Sequence, residues 1–217
     1  MSDDSKSSYF ARCEHNFIPL LNGLDPEDTI LELGCGPGYM LEFLKRFGFK
    51  KVKGIDISSE GVELSKKRGC DAEVADVFAY LEGKQNTFDS IIAVDFIEHF
   101  TKDELLSLTR LIFDSLKKGG RLILQTVNGE GLFPNMNIYG DLTHSTIFTT
   151  SSMMQMLRLV GFDNFHFVEY DLLRKKRNKL AWKLVKYVAT KVRCIETGQS
   201  HTFWAENMIC YCDKCIP

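Results

Sequence analysis

The run LELGCGPGYMLEFL, Leu31 to Leu44, restricts what this chain can fold into more than any other stretch. An apolar segment stops at three alternating glycines, Gly34, Gly36 and Gly38, and an apolar-periodic segment begins straight after them. Glycine accepts left-handed backbone and lets other groups approach the main chain closely. A strand, a tight glycine turn and a helix are expected, the arrangement with which α/β proteins hold a small molecule at the carboxyl ends of their strands.

The pattern around this loop extends the expectation. Short apolar runs bounded by Gly and Asp predict strands at about 29–33, 52–56, 72–75, 88–95 and 121–127. Helical spacing predicts helices near 39–47, 59–68 and 102–117. The last of these opens on a capping box, Thr101 with Glu104, and is expected to stop at Gly119–Gly120. Ahead of them, YFARCEHNFIPLL puts Phe10, Cys13, Phe17 and Leu20 on one helical face, while residues 1–8 read as a flexible N-terminus. The ending is less regular: a loop through 128–148, a helix at 149–160 closed by Gly161, a strand at 165–170, a basic helix at about 172–193 and a strand at 203–212. Alternating strands and helices imply a doubly wound α/β sheet.

Three ligands compete for the glycine loop. A Walker loop needs Gly-Lys-Ser/Thr, and Gly38 is followed by Tyr39-Met40. A dinucleotide loop spaces its glycines G-x-G-x-x-G; here Gly38 falls one position early, and Pro37 removes an N–H that a pyrophosphate would use. S-adenosyl-L-methionine needs close backbone approach but no phosphate nest. Asp56, ending VKGID, suits ribose hydroxyls in either nucleotide. Asp76, ending the next strand in AEVADV, suits an adenine amino group. FDSIIAVDFIEHF then leads through Asp95 to Glu98 and His99.

With these pieces in register, the chain resembles a class I S-adenosylmethionine-dependent methyltransferase. The similar elements are LELGCGPG, GIDIS, ADV, FDSIIAVDFIEH and LKKGGRLILQTVN, spanning about residues 29–128. The resemblance implies a Rossmann-like sheet of seven mostly parallel strands, the last antiparallel beside the sixth, in a single domain over 9–217. It implies S-adenosyl-L-methionine contacts at Glu32, Gly34, Cys35, Gly36, Gly38, Asp56, Ile57, Asp76, Val77 and Asp95. Glu98 and His99 are expected to be structural. Asp95 sits where methyl donor and acceptor should meet.

The 128–148 loop follows the fifth strand, at the edge where acceptors bind, and concentrates Asn135, Tyr139, Asp141 and His144. These suit a hydroxyl-rich substrate. GDLTHSTIFT followed by VGF is similar to methyltransferases of surface-polysaccharide biosynthesis. The reading that follows is O-methylation of a saccharide or glycan intermediate, carried on a lipid or nucleotide. A hydroxyl must lose its proton, and His144 is the candidate general base, with Asp141 placed to orient its ring and Asp95 next in line. The alternatives are methylation of a small aromatic or quinone precursor, and a cofactor-binding scaffold without catalysis.

Charge is unevenly spread. Nine Lys/Arg and two acids lie between Asp171 and Glu196 in a chain whose net charge is −2. A helix there, with Leu180, Leu184, Val185, Val188 and Val192 on one side, either packs on the sheet by that side or meets an anionic membrane peripherally. Nucleic acid is not expected, because aromatics are not interleaved with the basic residues for stacking. Cys210, Cys212 and Cys215 match no paired zinc spacing, and period-2 alternation puts the first two on one strand face as core residues, so no metal is expected. No segment approaches the roughly 18 apolar residues of a membrane span. The polar, acidic start MSDDSKSS and the seven scattered cysteines suggest a cytoplasmic protein with reduced thiols. The sequence leaves oligomeric state open.

Overall fold

The computed structural model describes residues 3–173, 176–198 and 203–215. Seven strands form one sheet in the order β3-β2-β1-β4-β5-β7-β6. They are β1 (Thr29–Leu33), β2 (Lys51–Asp56), β3 (Asp71–Val74), β4 (Phe88–Val94), β5 (Leu116–Val127), β6 (Phe162–Glu169) and β7 (Asn207–Lys214). The first five run parallel, and β7 is inserted antiparallel to both β5 and β6. The seven-stranded, mostly parallel architecture expected from the sequence is the one observed.

Helices cover both faces. They are α1 (Asp3–Leu21), α2 (Tyr39–Arg46), α3 (Ser59–Lys67), α4 (Val77–Leu81), α5 (Lys102–Ser115), α6 (Asn135–Tyr139), α7 (Thr150–Val160) and α8 (Lys176–Thr197). Central strands are buried on both sides, so their apolar runs are nearly continuous, as in IIAV of β4. One core joins β4, β5 and β7 to α5 and α7 through Ile91, Leu105, Leu108, Leu124, Met153 and Leu157. The other packs α1 and α2 against the opposite face, and contains the stripe Phe10, Cys13, Phe17 and Leu20. Cys210 and Cys212 are buried in the first core, on the same face of β7.

The structure corrects two local expectations outside the basic helix. The N-terminal helix begins at Asp3, inside the stretch read as a flexible end, and Lys6 pairs with Glu42 of α2 at 2.9 Å. Helix α5 ends at Ser115, not near 117: LKKGG begins β5, where Leu116 pairs with Phe88 before a register shift. A pair of glycines reads as a helix stop in one dimension, but the helix already gives way at Leu116, and Gly119, with φ 75°, and Gly120 sit in the register shift between the pairs Phe88–Leu116 and Ser90–Arg121. The two short helices, α4 and α6, were too brief for periodicity to show.

The basic helix differs most. It spans Lys176–Thr197, while 171–173 are irregular and 174–175 lie outside the described residues. Its polar side meets the sheet edge, while Leu184, Val188 and Val192 border an open groove with Leu132 and Trp204. Lys186 pairs with Glu169, and Thr190 accepts from Trp204 Nε1 at 3.0 Å. Leu180, Leu184, Val188 and Val192 are exposed, Val185 less so. Glu169 at the end of edge strand β6 also accepts from the backbone N–H groups of Trp204 and Ala205, so polar contacts at the sheet edge decide which face of α8 turns inward.

Arg121 ties three elements together. Its Nε donates to Asp213 of β7 at 3.0 Å, and one terminal nitrogen donates to the Leu20 and Asn22 carbonyls at the end of α1. Those carbonyls have no further turn of helix to bond them. Arg121→Ala should lower unfolding stability by about 1–3 kcal/mol in urea titration. Arg121→Lys should recover little, because an ammonium cannot reproduce the planar fork. A midpoint unchanged in Arg121→Ala would refute this role.

Candidate functional site

The glycine loop joins β1 to α2 with left-handed backbone at Gly34, Gly36 and Gly38. Two of these positions exclude a side chain outright. A Cβ at Gly34 would lie 2.4 Å from the Phe96 ring, and one at Gly38 would lie 2.2 Å from Ser65 Oγ. Asp56, at the end of β2, fixes the loop from the side. Its Oδ2 accepts from Gly36 N and its Oδ1 from Ser58 N, each at 2.7 Å.

A cavity of about 400 Å³ opens at the carboxyl ends of the strands. Gly34, Asp56, Ile57, Asp76, Val77 and Asp95 line it, six of the residues expected there, and Phe96, His99 and Phe100 close its far side. No Lys or Arg is among the lining residues, so a pyrophosphate would meet no cationic partner there. Asp76 also caps α4, accepting from Ala79 N at 3.0 Å with one of its two oxygens.

Four expected residues stand differently. Glu32 is buried beneath the loop, with Oε2 unpartnered, and burial followed by the nearby Asp56 charge pushes its carboxyl well above the usual range. The Cys35 side chain turns into the core, where burial pushes its thiol up to about 12, so that only its backbone remains for a ligand. Gly36 and Gly38 shape the loop rather than line the cavity.

Asp95 follows β4 with φ 49°, a left-handed conformation costly for a residue with a Cβ. The strained turn aims its carboxylate into the cavity, where Gln125 Nε2 donates to Oδ1 at 3.0 Å. Asp95 is open to the cavity yet ringed by protein, and that desolvation raises its carboxyl. Glu98, fully buried behind it, is raised for the same reason. The Glu98 carbonyl accepts from Ser145 N and Thr146 N, which brings the end of the 128–148 loop against the cavity.

That docking places the His99 and His144 rings 5.2 Å apart. His144 Nδ1 lies 3.2 Å from the Ile138 carbonyl, which can only accept, so Nδ1 carries the proton and Nε2 the lone pair. Thr143 Oγ1 donates to Asp141 at 2.6 Å and accepts from His99 Nδ1 at 2.9 Å, which again leaves Nε2 as the basic nitrogen. The expected orientation of His144 by Asp141 is therefore corrected: Asp141 orients His99, through Thr143, and the Ile138 carbonyl orients His144. The place of His99 on the cavity was not legible from the sequence because its contact with Thr143 comes from a loop 44 residues away; the signal available was its four-residue spacing from Asp95, which one tight turn converts into a shared cavity. Asn135 and Tyr139 lie on α6 and are exposed.

Comparison with known proteins agrees with this geometry. A family model described as a methyltransferase domain matches residues 6–166. The chain belongs to the methyltransferase domain family. S-adenosyl-L-methionine is the cofactor that goes with this membership, and the cavity suits it, with carboxylates for hydroxyls and an amino group and no basic residue for phosphate. A structure of an S-adenosylmethionine-dependent methyltransferase from Archaeoglobus fulgidus shares the fold, with a TM-score of 0.75 at 19% identity over 96% of this chain and 94% of that one. Among relatives by sequence, malonyl-[acyl-carrier protein] O-methyltransferase of Priestia megaterium is 29% identical over 54% of this chain and 42% of its own length. Ubiquinone biosynthesis O-methyltransferase of Schizosaccharomyces pombe is 31% identical over 46% of this chain and 38% of its own. The chain thus spans about two fifths of the length of the curated relatives it matches. Among the described residues, no cluster of His, Cys, Asp or Glu could hold a metal ion, and no helix is long and apolar enough to cross a membrane.

The raised carboxyl of Glu32 makes stability depend on pH. The folded protein keeps a proton there that the unfolded chain releases above its ordinary value of 4.5. Stability from this group is therefore greatest below that value and falls as pH rises. Glu32→Gln, which cannot ionise, should lose less melting temperature than the wild type between about pH 5 and pH 8. Parallel pH profiles for the two proteins would contradict the assignment.

Proposed function

We propose that this methyltransferase-domain protein catalyses O-methylation of a saccharide or glycan intermediate. The observation that carries the reading is a pair of imidazoles, each with its Nδ1 proton committed and the lone pair on Nε2: His99 lines the cavity that Asp56 and Asp76 also line, and His144 stands 5.2 Å from it, ring to ring. Within it, Asp56 holds the ribose hydroxyls, Asp76 and the apolar faces of Ile57 and Val77 hold the adenine, and the loop Glu32–Gly38 receives the amino-acid end. S-adenosyl-L-methionine, when bound, supplies a methyl group already activated for displacement. The chain's own residues supply position and a base. Orientation alone contributes roughly 7–11 kcal/mol in well-aligned reactions.

His144 Nε2 takes the proton of the acceptor hydroxyl, and Asp95 receives a hydrogen bond from or gives one to a neighbouring hydroxyl of the acceptor. Asn135, Tyr139 and Asp141 supply the polar surface over which a sugar would lie. The rest of the acceptor loop favours a second reading. Phe133, Met136 and Leu142 are exposed beside those polar groups. An aromatic or prenylated acceptor would cover them, and the similarity to a ubiquinone-biosynthesis O-methyltransferase supports that alternative.

Asp56→Ala should weaken S-adenosylhomocysteine about tenfold to a hundredfold in calorimetry, because two hydroxyls lose their acceptor at about 1–3 kcal/mol. Unchanged affinity in a folded variant would remove Asp56 from the ribose site. General-base catalysis is worth roughly 100- to 10,000-fold, so His144→Gln should lower kcat at least about 100-fold with cofactor affinity intact. If His144→Gln keeps its rate while His99→Gln loses it, the base is His99.

A further inference from the structure

We infer that α8 is a docking helix for an anionic lipid bilayer surface. Its amphipathicity is inverted relative to the body of the protein. At 3.6 residues per turn, Lys186 and Thr190 face the sheet edge, while Leu180, Leu184, Tyr187, Val188, Val192 and Ile195 fall on the opposite arc. These six are between 51% and 87% exposed. A helix of a water-bathed domain normally turns such a stripe inward.

The charge on the helix identifies what covers the stripe. Between Lys176 and Thr197 there are seven Lys/Arg and one acid, a net charge of +6 in a chain whose total is −2. Lys191 lies within the apolar arc and Lys183 at its border, both exposed. An apolar stripe bordered by long basic side chains is what lies in the headgroup region of an anionic bilayer, with the apolar side chains among the acyl chains and the ammonium groups reaching outward to phosphate. A second copy of the chain fits poorly, because pairing two such stripes would bring two +6 helices together.

The helix is also joined to the acceptor side of the site. Thr190 holds Trp204, whose carbonyl accepts from Leu132 N, where the loop toward α6 begins. Leu132 and Trp204 share a groove of about 550 Å³ with Leu184, Val188 and Val192. The exposed Phe133, Met136 and Leu142 follow on the same loop. Bilayer contact along α8 therefore brings the acceptor loop to the membrane, where a lipid-borne acceptor would be reached. The docking itself does not depend on the methyl-transfer reading.

The test is co-sedimentation of the full chain with vesicles of phosphatidylcholine alone or mixed with phosphatidylglycerol. At about 0.1 M salt the partition into mixed vesicles should exceed that into neutral ones at least tenfold, and it should collapse near 1 M salt, where screening shortens to about 3 Å. Leu184→Asp/Val188→Asp should abolish binding, and Lys183→Glu/Lys191→Glu should remove the anionic preference. S-adenosylhomocysteine affinity should be unchanged in both, which shows that the variants fold. Negligible sedimentation with either vesicle would overturn the inference, as would equal sedimentation with both. A dimer by light scattering that Leu184→Asp dissolves, without vesicle binding, would assign the stripe to a second copy instead.

Discussion

One carboxylate holds the functional end of this molecule together. Asp56 accepts from Gly36 in the loop after β1 and from Ser58 at the start of α3, with one oxygen for each. The left-handed glycines need such an anchor, since nothing in a glycine's own side chain fixes its backbone. Gly34 must stay open for Phe96, and Gly38 for Ser65, so the loop is also shaped by residues from the turn after β4 and from α3. The floor of the cavity is thus a joint product of the first four strands, and it exists only when β1, β2, β3 and β4 are in register.

The opposite wall has a different origin. It comes from a strained Asp95, a short turn over Ile97–His99, and a loop whose end is pinned to the Glu98 carbonyl. Burial raises both Asp95 and Glu98, which makes this wall less acidic than its sequence suggests. His99 lines the cavity beside this wall, with the His144 ring 5.2 Å from its own. Pre-set tautomers matter here, because a base whose proton sits on the wrong nitrogen must first exchange it.

Much of this was legible in the sequence because it is local. Strand β1 spans the residues expected, and the capping box at Thr101 and the left-handed Gly161 after α7 form as read. The glycine loop and Asp56 were legible because their spacing depends on one strand–turn–helix unit. What was not legible depends on neighbours distant in sequence. The helix gives way to strand at Leu116 because Phe88 of β4 pairs with it. The relay from Asp141 through Thr143 to His99 needs the loop to fold back over the turn after β4. The outward turn of the apolar side of α8 is set by Glu169 and Trp204 at the sheet edge, which no helical wheel contains.

The central claim is that one cavity holds the cofactor against Asp56 while the two imidazoles wait on its acceptor side. A crystal structure with S-adenosylhomocysteine tests it directly. The account predicts both ribose hydroxyls on the Asp56 carboxylate, the adenine between Ile57 and Val77, and the sulfur turned toward Asp95 and the histidine pair. Ribose away from Asp56, or a sulfur facing away from His99 and His144, would contradict it.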